Sequence, residues 1–413
     1  MAHAPTRRDL AGPVFAAPVP TPDPTRFAVR HGSDAAAYRA IDELNREHRL
    51  APLPFPSPRG GTEPRLTLAE VLADPAAVDA ITAAGRLVCH AVGDSGSTRG
   101  PASQSLVADK MTADFDEAEA ADRPAFFFHL GDVIYSFGEG EYYYDQFYEP
   151  YRDYPAPIVA IAGNHDGMVV PGSGAKTLAA FLENFCRSGF GVSPEAGGLS
   201  RTAGIQPGVF FTFEAPFLRI LALYSNTLED PGVIADDTVG RAQLDYLAAA
   251  LARVRAEGFA GALLLAHHHP AYTAGSKHGW SIGLREQVDA LCAAAGVWPH
   301  AVLSGHAHNY QRFTRRTAGR EIPYLVAGNG GHGLARLRAP RGQALRTPLT
   351  IADAGHDRVT LENYDDQNYG YLRLVVDAER LRIEYHPASD GTGAKTPDDV
   401  VSVDLASGLL RHG

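Results

Sequence analysis

Five apolar runs in this 413-residue chain are each followed at once by side chains that bind metals or carry protons. "RLVCHAVGD" ends on Asp94 and "AFFFHLGD" on Asp132, with Tyr135 close behind. "PIVAIAGNHD" delivers Asn164 and His165, "ALLLAHHHP" a run of histidines, and "AVLSGHAH" the pair His306 and His308. Residues two apart on an extended backbone share a face, so that last pair crowds two imidazoles together unless something holds them. Gathered, Asp94, Asp132, Tyr135, Asn164, His165, His268, His306 and His308 mix oxygen and nitrogen donors. The mixture suits iron, manganese or zinc, and it is too large for one tetrahedral ion. A carboxylate can bridge two ions roughly 3.5–4 Å apart, and such a pair activates water against phosphorus while offsetting charge on the phosphoryl oxygens.

Taken singly, each of these residues has an ordinary explanation. Asp94 and Asp132 fit turns, Tyr135 fits a packed aromatic, and Asn164 fits a helix cap. Their recurrence after successive apolar runs is what points to a common site.

The elements that would position them follow from the texture of the chain. Helix-like stretches lie between the runs: "QSLVADKMTADFDEAEA", "GAKTLAAFLENFCRSG" and "GRAQLDYLAAALARVRAEG". The first three runs and their connections predict strand–helix–strand units, and buried strands alternating with helices make an α/β fold. In such sheets ligands gather beyond the carboxyl ends of strands, where each polar cluster falls. "GVFFTFEA" and "PFLRILALYS" read as a hairpin, which makes the sheet mixed. "YGYLRLVVDAERLRIEYHPAS" and "DDVVSVDLAS" read as closing antiparallel strands.

Residues 1–85 form a different stretch. Positions 11–24 are rich in proline and alanine and read as irregular. Residues 33–48 predict an amphipathic helix capped by Ser33. Thr67 and Glu70 form a capping box, and Asp74, Pro75 and Gly85 cap, open and close another helix. These helices are expected to pack on a catalytic domain spanning 86–413, because alone they would make a poor core.

Bulk properties narrow the partners. A net charge of −11 without a basic block disfavours binding to a nucleic-acid backbone. No stretch approaches the roughly 18 apolar residues of a membrane span. Three widely spaced cysteines fit a reducing, cytoplasmic setting. "TRRDL" (6–10) has the look of a twin-arginine export signal, but the proline-broken "AGPVFAAPVPTPDP" after it is a poor export core. Oligomeric state is not written in these features.

The ordered set "GDSG" (93–96), "GDVIY" (131–135), "GNHD" (163–166), "HHP" (268–270) and "GHAH" (305–308) resembles the calcineurin-like metallophosphoesterases, and more narrowly their purple acid phosphatase branch. The resemblance runs from about residue 87 to about 405 and implies a four-layer α/β/β/α sandwich of mixed sheets. It implies that Asp94, Tyr135 and His308 bind Fe(III), that Asp132 bridges, and that Asn164, His268 and His306 bind Fe(II), Zn(II) or Mn(II). The His-x-Pro spacing selects His268 over His267 and His269. Asp166 is expected to orient a histidine. Asn164, His165 and His278 are expected at the substrate, with His165 or His278 giving the leaving oxygen its proton. "GNGGHG" (328–333) reads as a glycine turn or a phosphate cradle, and "YYYDQFYEPY" (142–151) as packing or an aromatic wall.

The chain departs from the wider family in having Gly96 where a histidine is usual, and from the usual plant purple acid phosphatases in showing no strand pattern for a separate N-terminal β-sandwich in 1–85. The implied function is hydrolysis of small-molecule phosphate monoesters by a metal-bound hydroxide. The alternatives are a phosphodiesterase on the same scaffold or a catalytically silent binding protein.

Overall fold

The computed structural model describes residues 12–17, 34–47, 49–170, 172–275, 277–337, 342–352 and 358–411. The Ser33 cap, the twin-arginine stretch and most of 11–24 lie outside them. The chain begins with α1 (Asp34–Arg46), β1 (Arg65–Thr67), α2 (Leu68–Leu72) and α3 (Pro75–Ala84). Next come β2 (Arg86–Val92), α4 (Ala102–Ala113), β3 (Phe127–His129), β4 (Ile158–Ala160), α5 (Asn164–Gly167) and α6 (Ala179–Phe185). The hairpin β5 (Phe211–Ala215) and β6 (Leu218–Ala222) leads to α7 (Ala242–Glu257), β7 (Ala262–Ala266), α8 (Ile282–Ala295) and β8 (Ala301–Ser304). The rest is strand: β9 (Tyr310–Thr317), β10 (Arg320–Ala327), β11 (Leu349–Ala352), β12 (Arg358–Asp365), β13 (Gly370–Asp377), β14 (Arg380–Pro387) and β15 (Asp399–Asp404).

Two mixed sheets result. One has the order β15-β14-β13-β2-β3-β4, the other β1-β5-β6-β7-β8-β10-β9-β12-β11. In the first, β2, β3 and β4 run parallel; in the second, β6, β7, β8 and β10 do. The sheets pack face to face. Leu87, Cys89 and Ala91 of one and Phe213, Leu264 and Leu303 of the other share a single buried cluster. Alternate residues point outward into a second core, where Val92 joins Val107 and Met111 of α4, and Leu263 and Leu265 join Leu247 of α7 and Val288 of α8. Strands buried on both faces must be apolar at every position, which is why these runs stand out in the sequence.

The caps read from 67–85 are present: Glu70 N–H bonds Thr67 Oγ1 at 3.1 Å, and Asp74 accepts from the Ala76 and Ala77 N–H groups. β1 pairs in parallel with β5, so residues 65–67 extend the larger sheet. Two helices are shorter than the sequence pattern suggests. The helix expected over 104–120 ends at Ala113, and that over 174–189 spans only 179–185. The β3–β4 connection carries no α-helix among the described residues; it holds a short 3₁₀ turn, Gly140–Tyr142, and a π-helical turn, Tyr144–Tyr148, whose tyrosines pack into the second core. Among the described residues no helix is long and apolar enough to cross a membrane.

The end of α4 is fixed by a buried polar knot. Asp114 accepts from Tyr371 at 2.7 Å and from Lys395 at 2.7 Å, and lies 3.0 Å from His90 Nε2. Burial opposes the Asp114 charge, but His90 first, then Lys395 and Tyr371, outweigh it and hold the carboxyl below its usual range. A depressed carboxyl contributes stability that is complete above its unfolded value of about 3.9 and is lost as pH falls toward the folded one. Asp114→Asn is therefore expected to cost about 3 kcal/mol or more at neutral pH and to flatten the acid limb of the stability curve, as measured by denaturant titration from pH 7 to pH 3. An unchanged acid limb would remove Asp114 as its cause.

Candidate metal centre

The carboxyl ends of β2, β3, β4, β7 and β8 meet along one edge of the sandwich. Asp94, Asp132 and His306 leave their strands with φ of 55°, 54° and 67°. Left-handed backbone costs a non-glycine residue of order 1–3 kcal/mol and gathers at functional sites. Hydrogen bonds hold these turns: Asp94 N–H donates to Gly131 O at 2.9 Å, and His306 N–H to Asp94 Oδ2 at 2.8 Å. Gly305 is needed for close approach, since a Cβ there would stand 2.5 Å from Asp94 Oδ2.

The side chains form two groups sharing one carboxylate. Tyr135 Oη lies 3.0 Å from Asp94 Oδ1, 2.9 Å from Asp132 Oδ2 and 3.3 Å from His308 Nε2. On the other side, donor atoms of Asp132, His268 and His306 all fall within 4.8 Å of one another, and Asn164 Oδ1 is 3.1 Å from His306 Nδ1. All seven expected ligand residues thus converge and are buried. Of the histidine run only His268 faces the group. His267 Nδ1 turns to His269 O at 2.6 Å, and both His269 nitrogens are taken by Ser225 Oγ and Leu228 O.

Partners outside the group fix the rings. His268 Nδ1 lies 2.8 Å from Leu130 O and His308 Nδ1 3.1 Å from Gly333 O, so each presents Nε2 to the centre. His306 presents Nδ1, because its Nε2 faces Asp230 Oδ1 at 3.4 Å and His278 Nδ1 at 3.2 Å. Asp166 does not orient a histidine as expected. Its carboxylate accepts from the Gly163, Val133 and Ile134 N–H groups at 2.8, 3.0 and 3.1 Å, and so clamps the Asp132 turn to the Asn164 turn. Burial, then Asp132, pushes its pKa up to about 7.

The donor set suits cations. Burial, then the neighbouring Asp132 carboxylate and Asp94, drive the Tyr135 phenol well above its usual range, and burial likewise raises Asp94. Burial opposes the charge of His268, yet Asp132 and Asp94 pull it up to about 10. One imidazolium cannot neutralise three potential anions, whereas two metal ions can. His268 Nε2 is buried without a hydrogen-bond partner, although Asp132 Oδ2 is 3.2 Å away, and Asn164 Nδ2 is also unpartnered. These residues fit a two-metal site.

The centre opens into a cleft of about 430 Å³ lined by Asp132, Tyr135, His165, His278, His306 and His308, among others. His165 Nδ1 is held by Ser136 O at 2.8 Å, and its Nε2 lies 3.9 Å from the buried Glu229. His278 also lines the cleft, and its Nε2 is buried without a hydrogen-bond partner. Sequence reasoning missed Tyr38, Glu229, Asp230 and His332. His332 lies within the "GNGGHG" turn, stacks on Tyr135 at 3.7 Å and 17°, and bonds Gly96 O through Nδ1 at 3.1 Å. A histidine inside that glycine turn was the available signal. The tyrosines of 142–151 do not line the cleft; Tyr143, Tyr144, Tyr148 and Tyr151 are buried in the outer core.

The departure at Gly96 has a steric cause. A Cβ there would come within 2.6 Å of Gln146 Oε1 and closer still to Val133 O. Gln146 is fully engaged in holding Tyr135, accepting from its N–H and donating to its carbonyl, both at 2.9 Å. The tyrosine and the glycine therefore belong together.

Comparison with known proteins agrees with this architecture. The family model described as calcineurin-like phosphoesterase matches residues 92–310, more than half of the chain. An Arabidopsis thaliana protein called probable inactive purple acid phosphatase 9 is 25% identical over 325 residues, covering 72% of this chain and 46% of the relative. The chain thus spans about half the length of that curated relative. Among solved structures, GAP50, titled the anchor in the inner membrane complex of Plasmodium, superposes with a TM-score of 0.53 at 12% identity, over 78% of this chain and 91% of that one. The structure of PhoD gives 0.46 at 15% identity, over 79% and 71%. On the family match, with the two mixed sheets beneath it, this chain belongs to the calcineurin-like phosphoesterase family.

Proposed function

We propose that the protein hydrolyses small phosphate monoesters at a dinuclear metal centre of the purple acid phosphatase type. The observation that carries this reading is the convergence of seven buried donors in two groups around Asp132. Asp94, Tyr135 and His308 would hold one ion, Asn164, His268 and His306 the other, and Asp132 both. A tyrosinate is a hard anionic donor, which favours Fe(III) in the first position and leaves Fe(II), Zn(II) or Mn(II) for the second. When bound, the metals supply Lewis-acid stabilisation of the phosphoryl oxygens and an acidified water.

The chain's own residues do the rest. Asn164, His165 and His278 would bind the phosphoryl group; the two histidines line the cleft, and Arg99 and Lys277 add positive charge at its rim. His165 and His278 both line the cleft with Nδ1 in contact with a neighbour, which leaves Nε2 of each as the candidate proton donor to the leaving oxygen. A cleft of about 430 Å³ suits a small ester. The three buried, unpaired cysteines go with a cytoplasmic setting. A non-catalytic binding role has support from two names, the probably inactive Arabidopsis relative and the Plasmodium anchor. Against it stands the physical cost of Asp94, Asp132 and Tyr135, buried together, in a protein that binds no cation.

Four measurements test the proposal. Metal analysis of the purified protein is expected to give about two ions per chain, with a visible tyrosinate-to-Fe(III) band. A colourless protein holding only zinc or manganese would reject Fe(III) and retain the hydrolase. Asp132→Asn is expected to lower turnover at least about 10²-fold through both ions, and His268→Ala to lose one ion that His267→Ala and His269→Ala keep. Normal turnover of Asp132→Asn with both metals bound would end the bridging role. His278→Ala, with metals retained, is expected to slow alkyl phosphates by about 10²–10⁴-fold and nitrophenyl phosphate much less, because an activated leaving group needs little protonation. Equal small losses on both substrates would leave the proton to His165.

A further inference from the structure

The N-terminal helix sits against the candidate site. α1 turns Tyr38 and Ile41 toward Phe137, Met168 and Val170, and together they form a small apolar cluster separate from the two main cores. Phe137 follows Ser136, whose carbonyl holds His165, and Met168 ends the turn that carries Asn164 and His165. α1 is thus packed on both segments that set the position of that imidazole. A 13-residue helix is marginal on its own, so this docking is what orders it.

The polar contacts are specific. The Tyr38 ring stacks on His165 with centroids 5.3 Å apart and planes at 28°. Its hydroxyl donates to Glu229 Oε1 at 2.8 Å, and the same oxygen lies 3.9 Å from His165 Nε2. Tyr38, His165 and Glu229 all line the cleft. Glu229 belongs to a loop whose Asn226 side chain pairs with both backbone groups of Leu53 at 3.2 Å, so the segment following α1 is tied to the loop that Tyr38 engages. The neighbouring Asp230 reaches His306.

We propose that Tyr38 is a positioning residue of the active site: with Glu229 it holds the His165 imidazole in place, making α1 part of the catalytic apparatus. The inference rests on the phosphatase reading for its kinetic consequences, but the contact itself has a separate readout. An imidazole displaced by about an ångström loses alignment with the phosphoryl group it would bind, an error that can cost up to roughly 10²-fold in rate.

The test uses the full chain and its metals. Tyr38→Ala is expected to lower kcat for a phosphate monoester by about tenfold or more, with KM changed much less and metal content unchanged. Tyr38→Phe keeps the ring, loses only the hydroxyl, and is expected to recover most of the rate. Labelling with diethyl pyrocarbonate and peptide mapping is expected to show His165 modified several-fold faster in Tyr38→Ala than in the wild type or Tyr38→Phe. Should Tyr38→Ala fail to fold, Glu229→Gln carries the test, with a fall in kcat expected at constant metal content. Unchanged kcat and unchanged labelling in Tyr38→Ala, or unchanged kcat in Glu229→Gln, would overturn the proposal. A wild type that cleaves no phosphate ester would reject the phosphatase reading alone, because the labelling contrast would still decide whether Tyr38 covers His165.

Discussion

Asp94 and Asp132 both lie within 3.0 Å of the Tyr135 hydroxyl, in a seam that solvent barely reaches. Placing such groups together in a low-dielectric interior is costly unless positive charge or directed N–H groups compensate. Much of the surrounding structure supplies that compensation. His306 donates its backbone N–H to Asp94 and His165 donates its own to Asp132 at 2.9 Å, while Asp166 fixes the Asp132 turn by accepting its N–H groups without offsetting any charge. Each device requires a particular turn at a strand end. The left-handed residues and the close glycines are therefore consequences of where the carboxylates must stand.

The compensation also explains which parts of the site were legible in the sequence. Strand-end donors follow apolar runs directly, so their order and spacing survive as a pattern. The His-x-Pro spacing singled out His268 among its neighbours, and in the fold those neighbours turn instead toward Ser225, Leu228 and Ser304. Asp166 has the right type and place for a histidine partner, but nearby backbone N–H groups took it instead. Tyr38 and Glu229 meet across 191 positions, and nothing in either local sequence announces the other. His332 was hidden by its glycines, which are required because the turn packs on the Asp94 loop; a Cβ at Gly328 would stand 2.7 Å from Asp94 Oδ2.

The same logic applies to the fold. Runs buried on both faces announced β2, β7 and β8, whereas the helix expected beyond residue 113 gave way to tertiary contact. Asp114 turns inward to His90 and Tyr371, and a helix continued with Asp114 facing solvent would leave both without that partner. Local propensity lost to a buried charge network, the usual direction of such an override.

An acidic chain that takes an anionic substrate needs a local reversal of sign. With net charge −11, the protein repels a phosphate ester at long range, but at physiological salt that repulsion is screened beyond about 8 Å. Inside the cleft the relevant charges are those within reach: the carboxylates, the histidines, and Arg99 and Lys277 at the rim. Without bound cations, Asp94, Asp132 and Glu229 would leave the floor of the site hostile to phosphate. On the proposed function, the donor set would serve binding as well as chemistry. With neutral Asn164 in place of another carboxylate, a two-metal centre in this site would keep excess positive charge for an anion to meet.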